Sequence, residues 1–237
     1  MIAGKKVGVI IPAAGTGKRM GGGVSKQFFE VAGKPIIIRT LEHFQSSPDI
    51  DNIILASDKE NMKPINNLIN VYNLTKVSSV VEGGVERQDS VWNCLQEIEK
   101  YNADLVLIHD AVRPFISQKL IHAVLIAANE DGAAIAAVRP KDTIKQSSVA
   151  GYAENTLARE QLWIAQTPQT FQFPIIKRAF EMARIEGYYG TDDANLVERI
   201  GMRIRIVDGS YDNLKITSPE DIELAQIIAR RFVTESI

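Results

Sequence analysis

Glycines and cationic side chains are concentrated in one loop near the start of the chain, directly after a short β-branched run that ends at Pro12. The glycines stand at positions 15, 17, 21, 22 and 23, and the cations are Lys18, Arg19 and Lys26. Glycine lets backbone N–H groups close around an anion, and the cations add positive charge. The loop is therefore predicted to bind a phosphate group. A flexible surface loop after an edge strand would explain the glycines but not the three cations.

Two well-known phosphate-binding glycine loops do not match this stretch. A Walker A loop has a glycine five residues before its Gly-Lys pair and Ser or Thr after it, whereas this chain has Pro12 and Arg19 there. The dinucleotide fingerprint is met by Gly15 and Gly17, but Met20 replaces its third glycine. The loop is thus not a P-loop, and it is a poor match to an NAD-binding motif.

The elements that must position this loop alternate between strands and helices. The run from Val7 to Ile11 predicts a strand buried on both faces. Further strands are predicted at 53–56, 77–81, 105–108, 133–138 and 203–207, and helices at 35–44, 59–72, 87–101, 117–130, 174–186, 192–200 and 219–232. Repeated βα units predict an α/β fold, a Rossmann-like and mainly parallel sheet with helices on both faces, in one domain over 1–237. Ligands of such sheets bind at the carboxyl ends of the strands, where the glycine loop begins.

A second candidate ligand-binding turn follows the predicted strand 77–81. Gly83 and Gly84 stand after this strand, and Ser90 lies in the first turn of the next predicted helix. These residues could contact a ligand at the same edge of the sheet. They could equally form a tight turn in which the serine caps the helix.

A third candidate follows the predicted strand 105–108. A carboxylate at Asp110 could hold Mg²⁺, the ion that accompanies a nucleoside triphosphate. Asp110 could instead cap the next turn or pair with Arg113. His109 is expected to point to the opposite face, so it is interpreted as structural and not as a base.

The βα alternation breaks at residues 139–160, which predict a β-hairpin that leaves the main sheet. Two strands are marginally stable in water, so this arm needs a partner surface. Thr167 lies in the segment that returns from the arm and could line a substrate pocket, whereas Trp163 is interpreted as a core residue.

Composition and charge exclude several classes of function. The chain has 237 residues, 45% hydrophobic and 24% charged, which is typical of a compact α/β enzyme. A net charge of −2 gives no overall attraction to nucleic acid or to an anionic membrane, so neither is predicted as a partner. Cys94 is the single cysteine, which excludes an internal disulfide and predicts a cytoplasmic protein. No apolar run approaches the ~20 residues of a bilayer span.

Six stretches, taken in order, resemble the methylerythritol phosphate cytidylyltransferase family. They are PAAGTGKRM with SKQ at 12–20 and 25–27, GGVERQDSV at 83–91, HDAVRPF at 109–115, LWIAQTPQTF at 162–171, TDDANLVE at 191–198 and NLKIT at 213–217. The resemblance runs nearly end to end. It implies a nucleotidyltransferase-type fold, CTP and a polyol phosphate as substrates, a divalent cation such as Mg²⁺, and a homodimer.

The resemblance also implies roles for individual residues. Arg19 and Lys26 are implied to be catalytic, stabilising the transition state of an in-line attack on the α-phosphorus. The expected nucleotide-binding residues are Ala13, Ala14, Gly15, Gly17, Arg19, Lys26, Gly83, Gly84, Ser90, Asp110, Ala111 and Lys215. The expected acceptor-binding residues are Arg113, Thr143, Arg159, Thr167, Thr191 and Lys215. Asp110 is the expected metal ligand.

Several of these positions have other interpretations. Lys215 taken by itself would be a solvated surface lysine, and Asp192 and Asp193 beside Thr191 are best interpreted as helix caps. In the family the arm clasps a second subunit, and its arginine, here Arg159, enters the neighbouring site. Arg139-Pro140 departs from the Pro-Val of close relatives and could alter the base of the arm.

The implied reaction is transfer of CMP from CTP to 2-C-methyl-D-erythritol 4-phosphate with release of pyrophosphate, a step toward isoprenoid precursors. The attacking phosphate oxygen is already ionised at neutral pH, so no catalytic base is expected. One alternative is a ribitol 5-phosphate cytidylyltransferase, similar in HDAVRPF and KIT, although that branch usually starts its loop with Leu-Ala-Gly-Gly. A more remote alternative is a non-catalytic Rossmann module that binds nucleotides.

Overall fold

The β-branched run at the start of the chain forms a central strand of a seven-stranded sheet. The structure, a computed structural model, describes Ile2, residues 4–15 and residues 25–234. The strands, in chain order, are β1 (Val7–Pro12), β2 (Glu30–Val31), β3 (Lys34–Pro35), β4 (Asn52–Ser57), β5 (Val77–Glu82), β6 (Leu105–Ile108), β7 (Ala133–Val138), β8 (Lys145–Ser147), β9 (Ala153–Thr156), β10 (Ile164–Gln172) and β11 (Arg205–Asp208). The helices are α1 (Ile36–Ser46), α2 (Lys59–Val71), α3 (Arg87–Ile98), α4 (Gln118–Asp131), α5 (Phe173–Glu186), α6 (Asp193–Arg199) and α7 (Pro219–Thr234).

The main sheet has the strand order β11-β7-β10-β6-β1-β4-β5. β1 pairs in parallel with β4 and β6, and the pairs β4–β5 and β7–β11 are also parallel. β10 runs antiparallel to both of its neighbours, β6 and β7. The predicted mainly parallel α/β sheet is confirmed.

Helices cover both faces of this sheet, as predicted. Val9 and Ile11 of β1 belong to a core that includes Leu41 of α1, whereas Ile10 belongs to a second core that includes Phe180 of α5. All five side chains are fully buried. Because β1 is covered on both sides, its sequence is continuously apolar and does not alternate with polar residues.

The central strand β10 is the largest difference from the sequence-based expectation. From the sequence, this stretch is predicted only as a segment that returns from the arm, with no strand assigned to it, whereas the structure has a nine-residue strand here. Pro168 lies inside β10 although proline cannot donate a ladder hydrogen bond. The register of β10 against β7 shifts between Ala165 and Gln169, so Pro168 occupies an irregular part of the ladder.

The predicted arm is present as a hairpin whose two short strands, β8 and β9, pair only with each other among the described strands. Every residue of both strands is exposed, as are Val149 and Tyr152 near the turn. The strands cover residues 145–156, a shorter range than the predicted 139–160. The arm thus projects from the main sheet with few contacts of its own.

A cluster of side chains fixes the base of the arm. The Arg139 guanidinium lies 3.8 Å from the centre of the Trp163 ring and donates to the carbonyl of Glu160. The Tyr211 hydroxyl donates to the carbonyl of Arg139 at 2.6 Å. Trp163 is half-buried at this contact. The prediction that it is a core residue is therefore wrong. Arg139 therefore joins the outgoing and returning segments of the arm.

None of the helices in the described part of the chain combines the length and apolar character that crossing a bilayer requires.

Candidate active site

A cavity of about 290 Å³ opens at the carboxyl ends of β1, β5 and β6. Parallel strands bring the loops after these three strands to one edge of the sheet. The predicted nucleotide-binding residues that line this cavity are Ala13, Ala14, Gly15, Lys26, Gly84, Ser90, Asp110, Ala111 and Lys215. The predicted residues Gly17 and Arg19 lie outside the described residues. The structure therefore brings together side chains from positions as distant as 13 and 215.

Close backbone packing holds the first two loops together. Gly83 lies so near the first loop that a Cβ at this position would stand 2.2 Å from the Ala14 Cβ and 3.0 Å from the Ser90 Oγ. The Gln27 amide donates to the carbonyl of Ala13 at 3.0 Å, which fixes the start of the glycine loop. A larger residue at Gly83 would push the two walls of the cavity apart.

The Ser90 hydroxyl is used inside its own turn. It accepts a hydrogen bond from the Gly84 N–H at 3.1 Å and donates to the carbonyl of Glu86 at 3.2 Å. The side chains of Glu86 and Asp89 form a capping box at the start of α3. The tight turn is therefore present, but Glu86 and not Ser90 caps the helix, and Ser90 also lines the cavity.

Three cations surround the Asp110 carboxylate. Its Oδ1 lies 3.5 Å from Arg87 Nε, and its Oδ2 lies 2.9 Å from Lys215 Nζ and 3.2 Å from Arg113 Nε. Burial by itself would raise the pKa of Asp110, but Arg87, Lys215 and Arg113 outweigh it and hold the pKa of this carboxyl well below its usual range. Asp110 is thus a buried, ionised carboxylate, and its pairing with Arg113 matches one of the alternatives drawn from the sequence.

The buried Asp193 carboxylate and the half-buried Arg87 form an ion pair that the sequence did not indicate. The Arg87 guanidinium donates two hydrogen bonds to the Asp193 carboxylate, at 3.0 Å and 2.7 Å. Asp193 and Asp110 raise the pKa of Arg87 against the lowering effect of burial. The two residues are 106 positions apart, so no local pattern could have indicated the pair.

Asp192 caps α6, whereas Asp193 does not. The Asp192 carboxylate accepts a hydrogen bond from the Asn195 N–H at 2.8 Å and another from the Gln169 amide at 2.8 Å. The capping prediction is therefore correct for Asp192 and wrong for Asp193. Thr191 is exposed beside them and lines a neighbouring cavity of about 540 Å³, of which Arg87 also forms part of the wall.

His109 and Thr167 form a hydrogen-bond relay beneath Asp110. The carbonyl of Arg113 can only accept, so His109 Nε2 carries the proton that bonds to it at 3.1 Å. In the neutral ring Nδ1 then accepts from the Thr167 hydroxyl at 3.0 Å, and that hydroxyl oxygen accepts the Asp110 N–H at 3.0 Å. Burial lowers the pKa of His109 to about 3, so the ring is neutral. The structural interpretation of His109 is confirmed.

The remaining predicted acceptor residues lie on the arm. Thr143 is exposed, and the Arg159 guanidinium donates to the carbonyl of Lys141 at 2.6 Å. Neither lines the cavity of its own chain among the described residues. Arg113 does not line the cavity either, but it lies next to it, because its guanidinium contacts the Asp110 carboxylate and donates to the carbonyl of Asn213 at 2.8 Å.

Comparison with known proteins gives one consistent result. Residues 7–231 match the family model described as IspD, 2-C-methyl-D-erythritol 4-phosphate cytidylyltransferase. Among curated proteins of that name, the chain is 46% identical to the one from Lysinibacillus sphaericus, over 94% of this chain and 95% of the relative. It is 44% identical to the one from Syntrophus aciditrophicus, over 95% and 97%.

Solved structures agree with the sequence relatives. A 4-diphosphocytidyl-2C-methyl-D-erythritol synthase from Anaerococcus prevotii is similar with a TM-score of 0.86 and 32% identity, covering 97% of this chain and 98% of that one. A 2-C-methyl-D-erythritol 4-phosphate cytidylyltransferase from Thermus thermophilus is similar with a TM-score of 0.77 and 32% identity, covering 95% and 99%. The chain belongs to the 2-C-methyl-D-erythritol 4-phosphate cytidylyltransferase family.

Proposed function

We propose that the chain transfers CMP from CTP to 2-C-methyl-D-erythritol 4-phosphate and releases pyrophosphate. Within this family, the observation that carries the proposal is the cavity lined by Lys26, Lys215 and Arg87, of which Lys215 and Arg87 also pair with the buried Asp110 carboxylate. A site rich in cations at the carboxyl edge of a parallel sheet suits a triphosphate. The product belongs to the biosynthesis of isoprenoid precursors.

The proposed reaction requires no catalytic base. The nucleophile is a phosphate oxygen that is already ionised at pH 7, and His109 is neutral and fully engaged in the relay. The activation barrier arises because the anionic acceptor phosphate must approach the anionic α-phosphate of CTP. Positioning of the two substrates and neutralisation of charge at the α-phosphorus lower this barrier. Among the described residues, Lys26 and Lys215 line the cavity and supply the positive charge. We assign the same role to Arg19.

Asp110 fits a magnesium ion that arrives with CTP better than it fits a resident metal. No cluster of three or more His, Cys, Asp or Glu side chains that could hold a metal is present among the described residues. Mg²⁺ usually binds one or two carboxylates together with substrate phosphates and water. Asp110 would supply the carboxylate, and the ion would neutralise phosphate charge.

The arm supports a homodimer in which each subunit completes the other's acceptor site. Its two strands are fully exposed and carry Tyr152 near the turn, so the arm has little apolar burial of its own. We assign Thr143 and Arg159 to the acceptor site of the neighbouring subunit.

The cysteine content agrees with a cytoplasmic location. Cys94 is the single cysteine, its thiol is buried, and burial raises the pKa of that thiol. A single buried thiol is in keeping with the reducing cytoplasm.

Pyrophosphate release in the presence of Mg²⁺ tests the proposed reaction. Release is expected to require CTP and 2-C-methyl-D-erythritol 4-phosphate together, with ATP, GTP and ribitol 5-phosphate much poorer, because unpaired polar groups in a site disfavour the wrong ligand. Equal turnover with ribitol 5-phosphate would assign the protein to the ribitol branch. Binding of CTP without turnover of either acceptor would support a non-catalytic module.

A further inference from the structure

The three cations around Asp110 differ in how firmly they are anchored. Arg87 is held by two hydrogen bonds to Asp193, and Arg113 is held by the carbonyl of Asn213. Lys215 is 40% exposed, and its ammonium has Asp110 as its one partner among the described residues. When phosphate groups compete for cations, the cation with the fewest other bonds moves at the lowest cost. Lys215 is therefore the cation that can leave Asp110.

Among the described residues, Arg87 is the one side chain with which the Asp193 carboxylate is seen to form hydrogen bonds. The Asp193 side chain is 2% exposed, and the capping of α6 is performed by Asp192. A buried carboxylate is costly unless it is paired. The position of Asp193 in the first turn of α6 adds a modest favourable interaction with the helix dipole. The pair thus holds the Arg87 guanidinium in one orientation, with Nε toward Asp110.

We propose that Arg87, fixed by Asp193, is a positioning residue that keeps the Asp110 carboxylate in place when Lys215 leaves it for the phosphates of the bound nucleotide. After that exchange each oxygen of Asp110 retains one anchored partner, Arg87 at Oδ1 and Arg113 at Oδ2. The exchange lets one lysine neutralise phosphate charge without releasing the carboxylate from its position. This inference rests on the proposed function, because it assumes that a nucleoside triphosphate occupies the cavity.

The test separates positioning from mere stability. Arg87→Met leaves Asp193 buried without a partner, and this change alone destabilises the fold. The double variant Arg87→Met/Asp193→Asn removes both charges and is expected to recover most of the lost thermal midpoint. Its kcat is nevertheless expected to stay roughly 10²-fold below the wild type, the loss that follows a misplacement of about 1 Å at a reacting centre. The KM for CTP is expected to rise much less, because Lys26 and Lys215 still bind phosphate.

Two further variants complete the experiment. Arg87→Lys keeps the positive charge but cannot form the bidentate hydrogen bond to Asp193, so its kcat should lie between those of the wild type and the double variant. Arg199→Met on α6, the helix that carries Asp193, removes an exposed ion pair with Glu186 and should leave kcat and KM unchanged. If the double variant regains kcat together with its thermal midpoint, Arg87 is only structural and the proposal is wrong. Lack of turnover in the wild type and in Arg199→Met would instead count against the proposed function.

Discussion

The carboxyl edge of the main sheet and the hairpin arm hold their side chains by opposite means. At the edge, His109, Asp110 and Thr167 are at most 6% exposed, and hydrogen bonds join all three to one another or to neighbouring residues. In the arm, every residue of β8 and β9 is exposed, and at its base the Arg139 guanidinium lies over the Trp163 ring. The side chains at the edge are held by contacts within one chain, whereas we propose that a second subunit fixes the position of the arm.

This difference indicates how the two regions should respond to substitution. Groups at the edge are oriented before substrate binds, so their loss should appear in kcat at little cost in nucleotide affinity. Groups in the arm should matter for activity through the neighbouring subunit, with little effect on the stability of their own. The predictions below test this contrast.

The largest expected effect is on stability. Phe180 is fully buried and stacks on Trp92 with ring centres 6.5 Å apart, so Phe180→Ala is expected to lower the free energy of unfolding by about 3–5 kcal/mol. Tyr152→Ala in the exposed arm is expected to change it by less than about 1 kcal/mol. Urea unfolding at matched protein concentration gives both values. Equal losses would mean that the arm contributes to the core as much as α5 does.

The next effect is on catalysis. Lys26 lines the cavity, and Lys26→Ala is expected to lower kcat by roughly 10²–10³-fold, the usual result of removing one preorganised donor to transition-state charge. CTP affinity should weaken much less. Lys63→Ala, which removes an exposed lysine from α2, is the matched control and should be unchanged. A normal kcat with a raised KM would reduce Lys26 to an anchor for ground-state phosphate.

The third prediction tests whether the arm acts on the neighbouring subunit of the proposed homodimer. Arg159→Ala and Lys26→Ala homodimers are each expected to be nearly inactive. In a mixed dimer the Arg159→Ala subunit keeps its own Lys26 and receives Arg159 from its partner, so one site is complete. Refolding the two variants together should therefore restore activity, up to one working site per heterodimer. If heterodimers form but stay inactive, Arg159 serves its own chain or has no role in the reaction.

The smallest effect is a pH dependence of the folding stability, which arises from two histidines outside the arm. Burial lowers the pKa of His43, and it lowers that of His109 to about 3. Below about pH 6.5 the unfolded chain binds protons that the folded chain does not, so stability falls as pH falls, by up to about 1.4 kcal/mol per pH unit for each histidine. His43→Gln should make this slope shallower in unfolding curves between pH 5 and 8. An unchanged slope would show that His43 does not contribute.

The sequence by itself determined the main plan of the molecule. A continuous β-branched run such as β1 is stable only where both faces are covered, and βα alternation leaves few topologies other than a mainly parallel sheet. Parallel strands end at one edge, so the sequence could predict that Gly15, Gly84 and Asp110 share this edge, and all three line the cavity. The family resemblance, also carried by local motifs, was confirmed by the comparisons.

The tertiary structure alone decided the features that depend on distant partners. β10 is rich in polar residues and contains Pro168, so its pattern does not indicate a central strand. Its Thr167 and Gln169 are buried because His109, Asp192 and Ala194 satisfy their hydrogen bonds. The Arg87–Asp193 pair likewise joins residues 106 positions apart. Hydrophobic periodicity and turn chemistry are local and can be read along the chain, whereas the pairing of buried polar groups is fixed only when the folded elements meet.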